Sequence, residues 1–357
     1  MKILHTADLH LDSPFEGLSS GKAAQRRSEQ RMLLTKLADV ANSENVDAVL
    51  LCGDLLDSEN SYYETGEELI RSLRRVHAPV FIIPGNHDYY CRMSPYARLD
   101  FSENVHIFTK NKMECFTIEE KKCKIYGGAY TEKEDPKLLE NFTLEDDGEY
   151  IRIVLAHGDI DEKTIESTNA DYAALGHIHK PTGLKCAGDV YYSQPGCPEG
   201  RGFDETGDRY VNIVKVEKGR CELEKVKISS RNYEVLNVDV SDTDISLAIK
   251  MALPDDTLKD IYRIVLKGET DTAIDVDRLK SSLSGYFYDV QIKDETRIKK
   301  NIWDKCTDDT LRGLFLSRLK KQYDETPDDE ERKLIEQSAK WGLAALDNME
   351  EVRCHDN

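Results

Sequence analysis

Five short apolar runs constrain this chain more than anything else in it: Lys2 to Thr6, Ala48 to Cys52, Val80 to Ile83, Ile151 to Leu155 and Tyr172 to Leu175. Runs of this length read as strands, and through residue 83 they alternate with helical stretches, which implies parallel pairing. Each run ends in a polar turn. The turns are Asp8-Leu9-His10, Gly53-Asp54-Leu55-Leu56-Asp57, Gly85-Asn86-His87-Asp88, Ala156-His157-Gly158-Asp159 and Gly176-His177-Ile178-His179. In open α/β sheets ligands gather outside the carboxyl ends of the strands, so five turns from distant positions are expected to meet in one crevice.

A single D-x-H or H-x-H occurs by chance in many chains, and a lone histidine is usually structural. The joint pattern is different, because these turns carry five of the nine histidines, all before residue 180. Carboxylates, imidazoles and one amide oxygen, without cysteine, suit manganese, iron or zinc and not a thiolate-rich structural site. Two such ions about 3.5 to 4 Å apart can clamp the attacking and leaving oxygens of an in-line phosphoryl displacement. A shared carboxylate is the natural bridge between them, and Asp54 is the candidate.

D-x-H, GD-x-x-D, GNHD, a histidine before glycine and GH-x-H, in that order, resemble the calcineurin-like metallophosphoesterases over about the first 200 residues. Carried over by residue, the resemblance implies that Asp8, His10, Asp54 and His179 hold one metal and that Asp54, Asn86, His157 and His177 hold the other. It also implies a hydroxide bridging the metals that attacks phosphorus, with His87 steadying the transition state or protonating the leaving oxygen. The opening Ile3-Leu4-His5-Thr6-Ala7-Asp8-Leu9-His10-Leu11 and the later stretch from Gln194 through Arg201 to Phe203 resemble the SbcD-type DNA repair exonucleases. That resemblance implies a manganese-dependent nuclease working on DNA with an SMC-type coiled-coil ATPase, and a homodimer. One position departs from it, since the better-known nucleases carry a histidine where this chain has Asp57. Either the Asp57 carboxylate accepts the His87 ring N–H, or Asp57 is a turn residue capping the next helix. Arg201 is a candidate phosphate contact, with a structural ion pair as the competing account.

At 357 residues and 39% hydrophobic content the chain is long enough for two domains with sizeable cores. Its nine cysteines, odd in number and without C-x-x-C pairs, read as reduced thiols and point to the cytoplasm. Met1 to Thr6 runs straight into the first turn, so no signal peptide is expected, and no apolar run is long enough to span a membrane. A net charge of −19 is the reverse of a nucleic-acid footprint and predicts weak, salt-sensitive DNA binding by this chain alone. Much of the acidity lies in Glu145-Asp146-Asp147, Asp255-Asp256 and Asp328-Asp329-Glu330-Glu331, which read as solvated faces. Lys22, Arg26, Arg27 and Arg31 are either phosphate contacts or an exposed helix face. Tyr89, Tyr90 and Tyr96 either stack on a base or pack a loop.

The expected fold class is α/β: a two-sheet sandwich flanked by helices, a small α+β capping domain and a helical C-terminal tail. The expected domains are 1–230 for the metal-bearing unit, 231–296 for a β-α-β-α-β cap and 297–357 for the tail. Helices are read over Gly21 to Ala41 and Tyr62 to Val76. In the tail, Leu311, Leu314, Phe315 and Leu319 share a helix face, and a second helix follows Thr326-Pro327, a pair suited to docking on a partner helix, packing back or self-association. Beside the nuclease reading stand a dinuclear-metal phosphodiesterase for a small nucleotide or other diester, and a regulatory subunit with a silent site.

Overall fold

Alternate residues along each central strand face two different cores, and this builds the layers. In the computed structural model, which describes residues 1–58, 61–146, 148–241, 243–270, 272–298 and 302–353, the chain divides into two compact units. The first comprises Met1–Asn237, Ala252–Val265 and Asp277–Lys293, and the second comprises Val238–Met251, Leu266–Val276 and the chain from Asp294 onward.

The first unit opens β1 (Lys2–Thr6), α1 (Ser20–Ser43), β2 (Ala48–Cys52), α2 (Tyr63–Arg74), β3 (Val80–Ile83), α3 (Pro95–Arg98) and β4 (Val105–Ile107). It continues β5 (Glu114–Ile118), β6 (Cys123–Gly127), β7 (Ile151–His157), α4 (Glu162–Ser167), β8 (Tyr172–Gly176), β9 (Lys185–Ala187), β10 (Val190–Ser193), β11 (Tyr210–Glu217) and β12 (Arg220–Lys227). One six-stranded sheet has the order β12-β11-β1-β2-β3-β4 and the other β5-β6-β7-β8-β10-β9. Strands β1, β2, β3 and β4 pair in parallel, as do β6, β7 and β8.

Ile3, Ala48, Leu50, Cys52, Phe81 and Ile83 of the first sheet pack with Ile125, Ile153, Leu155, Tyr172 and Ala174 of the second, forming the core between the sheets. Their neighbours Leu4, Val49, Leu51 and Ile82 face the other way, onto Leu33, Leu34 and Leu37 of α1 and Leu69 and Leu73 of α2. On the far side Val154, Ala156, Ala173 and Leu175 pack with Leu139, Leu144 and Ile165. The result is the expected sandwich of two sheets between outer layers. Parallel strands covered on both faces leave their carboxyl ends as the open edge, and both sheets present those ends to the same place.

One expectation changes on contact with the fold, and one choice left open by the sequence closes. Arg26 belongs to no exposed face: it is fully buried, with Nη2 2.6 Å from Glu199 and Nη1 2.7 Å from Glu29. Burying a guanidinium requires paired carboxylates, and the next helical turn and the 199–200 loop supply them. Tyr96 is buried and donates its hydroxyl to Asp88, so it packs the loop and is in no position to stack on a base.

The remaining elements are β13 (Tyr233–Asp239), α5 (Ile245–Ala252), β14 (Ile261–Lys267), β15 (Glu269–Thr270), α6 (Val276–Leu283), β16 (Asp289–Asp294), β17 (Arg297–Ile298), α7 (Leu311–Glu325) and α8 (Asp329–Arg353). Strands β13, β14 and β16 form a three-stranded sheet in that order, and β15 pairs β17 in parallel. In the second unit α7 and α8 pack around Trp303, Leu316 and Ala339, while Leu311, Leu314, Leu334 and Trp341 stay exposed. The acidic positions Glu145, Asp146, Asp255, Asp256 and Asp328 to Glu331 are exposed as expected; Asp147 lies outside the described residues. Among the described residues no helix is long and apolar enough to cross a membrane.

Candidate metal centre

The five turns meet. Asp8 and His10 follow β1, Asp54 follows β2, Asn86 and His87 follow β3, His157 ends β7, and His177 and His179 follow β8. Strands β1, β2 and β8 stop where the backbone turns into the left-handed region, with φ of 55° at Asp8, 42° at His10, 51° at Asp54 and 91° at His177. Such angles cost a non-glycine residue free energy and persist where the surroundings over-determine them, which is typical of functional sites. Hydrogen bonds supply part of that constraint: Asp8 N donates to Gly53 O and His10 N to Asp54 O, both at 3.0 Å. The Asp8 carboxylate in turn accepts from His177 N, 3.0 Å from each oxygen, which ties the two sheets together at their ends.

Two glycines make the room. At Gly53, with φ of 84°, an added Cβ would lie 2.3 Å from His157 Nδ1, and at Gly85 it would lie 2.2 Å from Asp54 Oδ1. Asp88 organises the turn from beneath. Its buried carboxylate accepts from Gly85 N at 2.8 Å, Leu55 N at 2.7 Å and Leu56 N at 3.1 Å, so it holds the 54–57 turn against the 85–88 turn.

The ligand atoms fall into three overlapping groups, each within 4.8 Å: Asp8, His10 and His179; His10, Asp54 and His87; and Asp54, His157 and His177. Asp54 lies between the first metal position and the second. Its Oδ2 is 3.7 Å from His10 Nε2 and 3.3 Å from His157 Nε2, while Oδ1 accepts from His87 N at 2.9 Å. Asn86 Oδ1 is 3.1 Å from His157 Nε2.

The protonation pattern tests whether these residues suit a cation. His10 Nδ1 is 3.1 Å from the Asp57 carboxylate, and His179 Nδ1 is 2.8 Å from that of Glu205. A carboxylate only accepts, so the His10 ring carries its proton on Nδ1 and turns a bare Nε2 inward. His179 Nδ1 lies between the Glu205 carboxylate and Arg201 Nη2, 3.0 Å away, and its Nε2 is likewise the nitrogen turned inward. Those two nitrogens face each other at 3.2 Å. Metal–nitrogen bonds of about 2.0–2.1 Å would place both on one ion at an angle of about 100°. His157 repeats the pattern, with Nδ1 2.8 Å from Cys52 O and Nε2 turned to the oxygens of Asp54 and Asn86. The residues present fit two cations sharing Asp54.

The electrostatics agree. Burial pushes the Asp8 carboxyl up to about 6 and the His10 imidazole down to about 4. For Asp54 burial acts upward, but the hydrogen bond and charge of His157 outweigh it and hold the carboxylate well below its usual range. Burial opposes charge on His157, yet Asp54 raises its imidazole to about 9. A proton on that Nε2 and a metal ion are alternatives, so metal binding would release the proton.

The Asp57 carboxylate does not reach His87 as the sequence reading expected. Its Oδ1 faces His10 Nδ1, Ser13 Oγ at 3.1 Å and Arg201 Nη1 at 3.2 Å, and only its backbone carbonyl serves His87, 3.1 Å from Nδ1. The turn that begins at Gly53 points the side chain back under His10, which leaves the main chain facing His87. Arg201 is held by ion pairs, between Asp57 on one side and Glu205 at 2.9 Å on the other. A phosphate would have to compete with both carboxylates for it. Glu205, Asp88 and Ser13 were given no role from the sequence. Glu205 had one weak signal, its place four residues after Arg201 in the same glycine-rich loop.

A family model described as calcineurin-like phosphoesterase matches residues 1–181, a span that holds every candidate metal ligand. The uncharacterized metallophosphoesterase YhaO of Bacillus subtilis is 27% identical over 343 residues, covering 87% of this chain and 81% of its own. The SbcD subunit of the nuclease SbcCD from the same organism is 28% identical over 273 residues, covering 61% of this chain and 67% of its own. Among solved structures, TT1561 of Thermus thermophilus aligns over 63% of this chain and 98% of its own at 14% identity, with a TM-score of 0.40.

Proposed function

Since the chain belongs to the calcineurin-like phosphoesterase family, we propose that this metallophosphoesterase is a phosphodiester hydrolase acting on DNA in repair, with two manganese ions as its metals. One observation carries the hydrolase: candidate ligands from five strand ends converge so that the Nε2 atoms of His10 and His179 face each other at 3.2 Å beside Asp54. The DNA substrate is supported by the likeness to a protein named as a nuclease subunit and by the opening motif and Arg201 loop.

Asp8, His10, Asp54 and His179 would hold one ion, and Asp54, Asn86, His157 and His177 the other. When bound, such a pair supplies Lewis acidity and positive charge for an in-line displacement at phosphorus. The rest falls to the chain. Asp54 fixes the spacing between the two positions. His87 donates Nδ1–H to the Asp57 carbonyl, which orients an exposed ring, and when the ring is doubly protonated its Nε2–H is the proton it can give to the leaving oxygen. Its ring stands edge-on to His10, centroids 4.8 Å apart, and is positioned without being a buried ligand.

Residues 231–296 are proposed as a cap that helps select DNA. The exposed Leu311, Leu314, Leu334 and Trp341 of the tail suit a coiled-coil ATPase of the SMC type. A homodimer and a cytoplasmic location complete the reading.

A second reading has one observation in its favour. An open cavity of about 190 Å³ adjoins the centre behind His157, between Tyr130, Asp135, Lys137 and Asp159. It would suit part of a small phosphodiester better than duplex DNA. The deciding experiment incubates the purified chain with manganese and end-labelled duplex or single-stranded DNA, beside bis-p-nitrophenyl phosphate, with His87→Ala as control. DNA cleavage that falls about 10²- to 10⁴-fold in the mutant, with metal content retained, is the expected result. Hydrolysis of the small diester with DNA intact, even with an ATPase subunit added, would favour the second reading.

A further inference from the structure

The two metal positions are not built alike. Behind the first stand two carboxylates: Asp57, 3.1 Å from His10 Nδ1, and Glu205, 2.8 Å from His179 Nδ1. Arg201 joins them, with Nη1 3.2 Å from Asp57 Oδ1 and Nη2 2.9 Å from Glu205 Oε1. Glu205 is nearly inaccessible, and its other oxygen accepts from the Arg201 backbone N at 2.8 Å, so the carboxylate is fixed at both ends. Ser13 Oγ, 3.1 Å from Asp57 Oδ1, adds a further hold. Behind the second position His157 is backed by a neutral backbone carbonyl, that of Cys52.

We propose that Asp57, Arg201 and Glu205 form a positioning bridge that locks His10 and His179 to one another and makes the first metal position the tighter of the two. The proposal rests on the dinuclear reading given above. A carboxylate behind a ring N–H fixes its tautomer and strengthens the other nitrogen as a ligand, and losing such a partner typically weakens metal binding 10- to 100-fold. A backbone carbonyl fixes the tautomer with less charge behind it. The guanidinium is suited to its place because its planar fork can meet two carboxylates at once, whereas a lysine ammonium is a point charge on a flexible stem. Arg201 therefore acts through the histidines and not as the primary phosphate contact.

Calorimetric titration of the metal-stripped full-length chain with manganese alone tests this. The wild type should show two classes of site, one tighter than the other. Glu205→Gln and Asp57→Asn should each weaken the tight class by about 10- to 100-fold and leave the weak class within about 3-fold. Arg201→Lys separates bridging from simple charge neutralisation, and it should weaken the tight class while keeping the charge. Thermal melting in chelator checks that each variant is folded. Unchanged tight binding in Arg201→Lys, or equal weakening of both classes in folded Glu205→Gln and Asp57→Asn, would overturn the bridge while leaving the dinuclear centre standing. A wild-type chain that takes up no manganese, zinc or iron would instead remove the dinuclear reading and the bridge with it.

Discussion

At the scale of single residues, the centre depends as much on what is missing as on what is present. Gly85 leaves the space into which the Asp54 carboxylate fits, and an added Cβ would come within 2.2 Å of Oδ1 and 2.6 Å of Asp54 N. Gly85→Ala must therefore displace the shared ligand, and we expect the loss of both metals with most activity, measured as bound metal per folded chain. Retention of two ions would show that the turn can yield. The place of the candidate ligands was legible in the sequence, because each sits at or just beyond the end of a strand whose apolar run is unmistakable. What lies behind them was not. Asp57 was expected on His87 and lies on His10, since a one-residue difference in how a turn folds decides which neighbour a short carboxylate meets. Glu205 reaches His179 across 26 positions of chain, a tertiary contact that no local pattern announces.

At the scale of elements, strand edges were legible where burial dictates them. β1, β2 and β3 fall on the expected residues, because their apolar runs leave little freedom there. The short β9 and α4 carried no such pattern and went unread. β1 also holds a group with a clear acid signature. His5 is fully buried between the sheets, with Nδ1 2.9 Å from the Tyr172 hydroxyl and Nε2 3.1 Å from Leu175 O. Burial pushes its imidazole down to about 3 from the usual 6.5. The unfolded chain therefore takes up a proton that the native one refuses, so His5 costs stability as pH falls from about 6.5 toward 3, and nothing above 6.5. By pH 5 the cost is about 2 kcal/mol. Urea unfolding at pH 7 and pH 5 should show His5→Gln losing less stability on acidification than the wild type, and equal losses would refute the assignment.

At the scale of the whole molecule, charge and chemistry pull in opposite directions. A chain with a net charge of −19 repels a polyanion, yet its proposed substrate is one. The crevice resolves this locally if divalent ions offset Asp8 and Asp54, because bound cations are the largest charges in such a site. The account therefore stands or falls on those ions. The most direct measurement is anomalous scattering from crystals of the full chain grown in manganese. Two peaks about 3.5 to 4 Å apart are predicted, one among Asp8, His10 and His179 and one among Asn86, His157 and His177, with the Asp54 carboxylate between them. A single peak, or none at these residues with the crevice intact, would contradict a dinuclear centre.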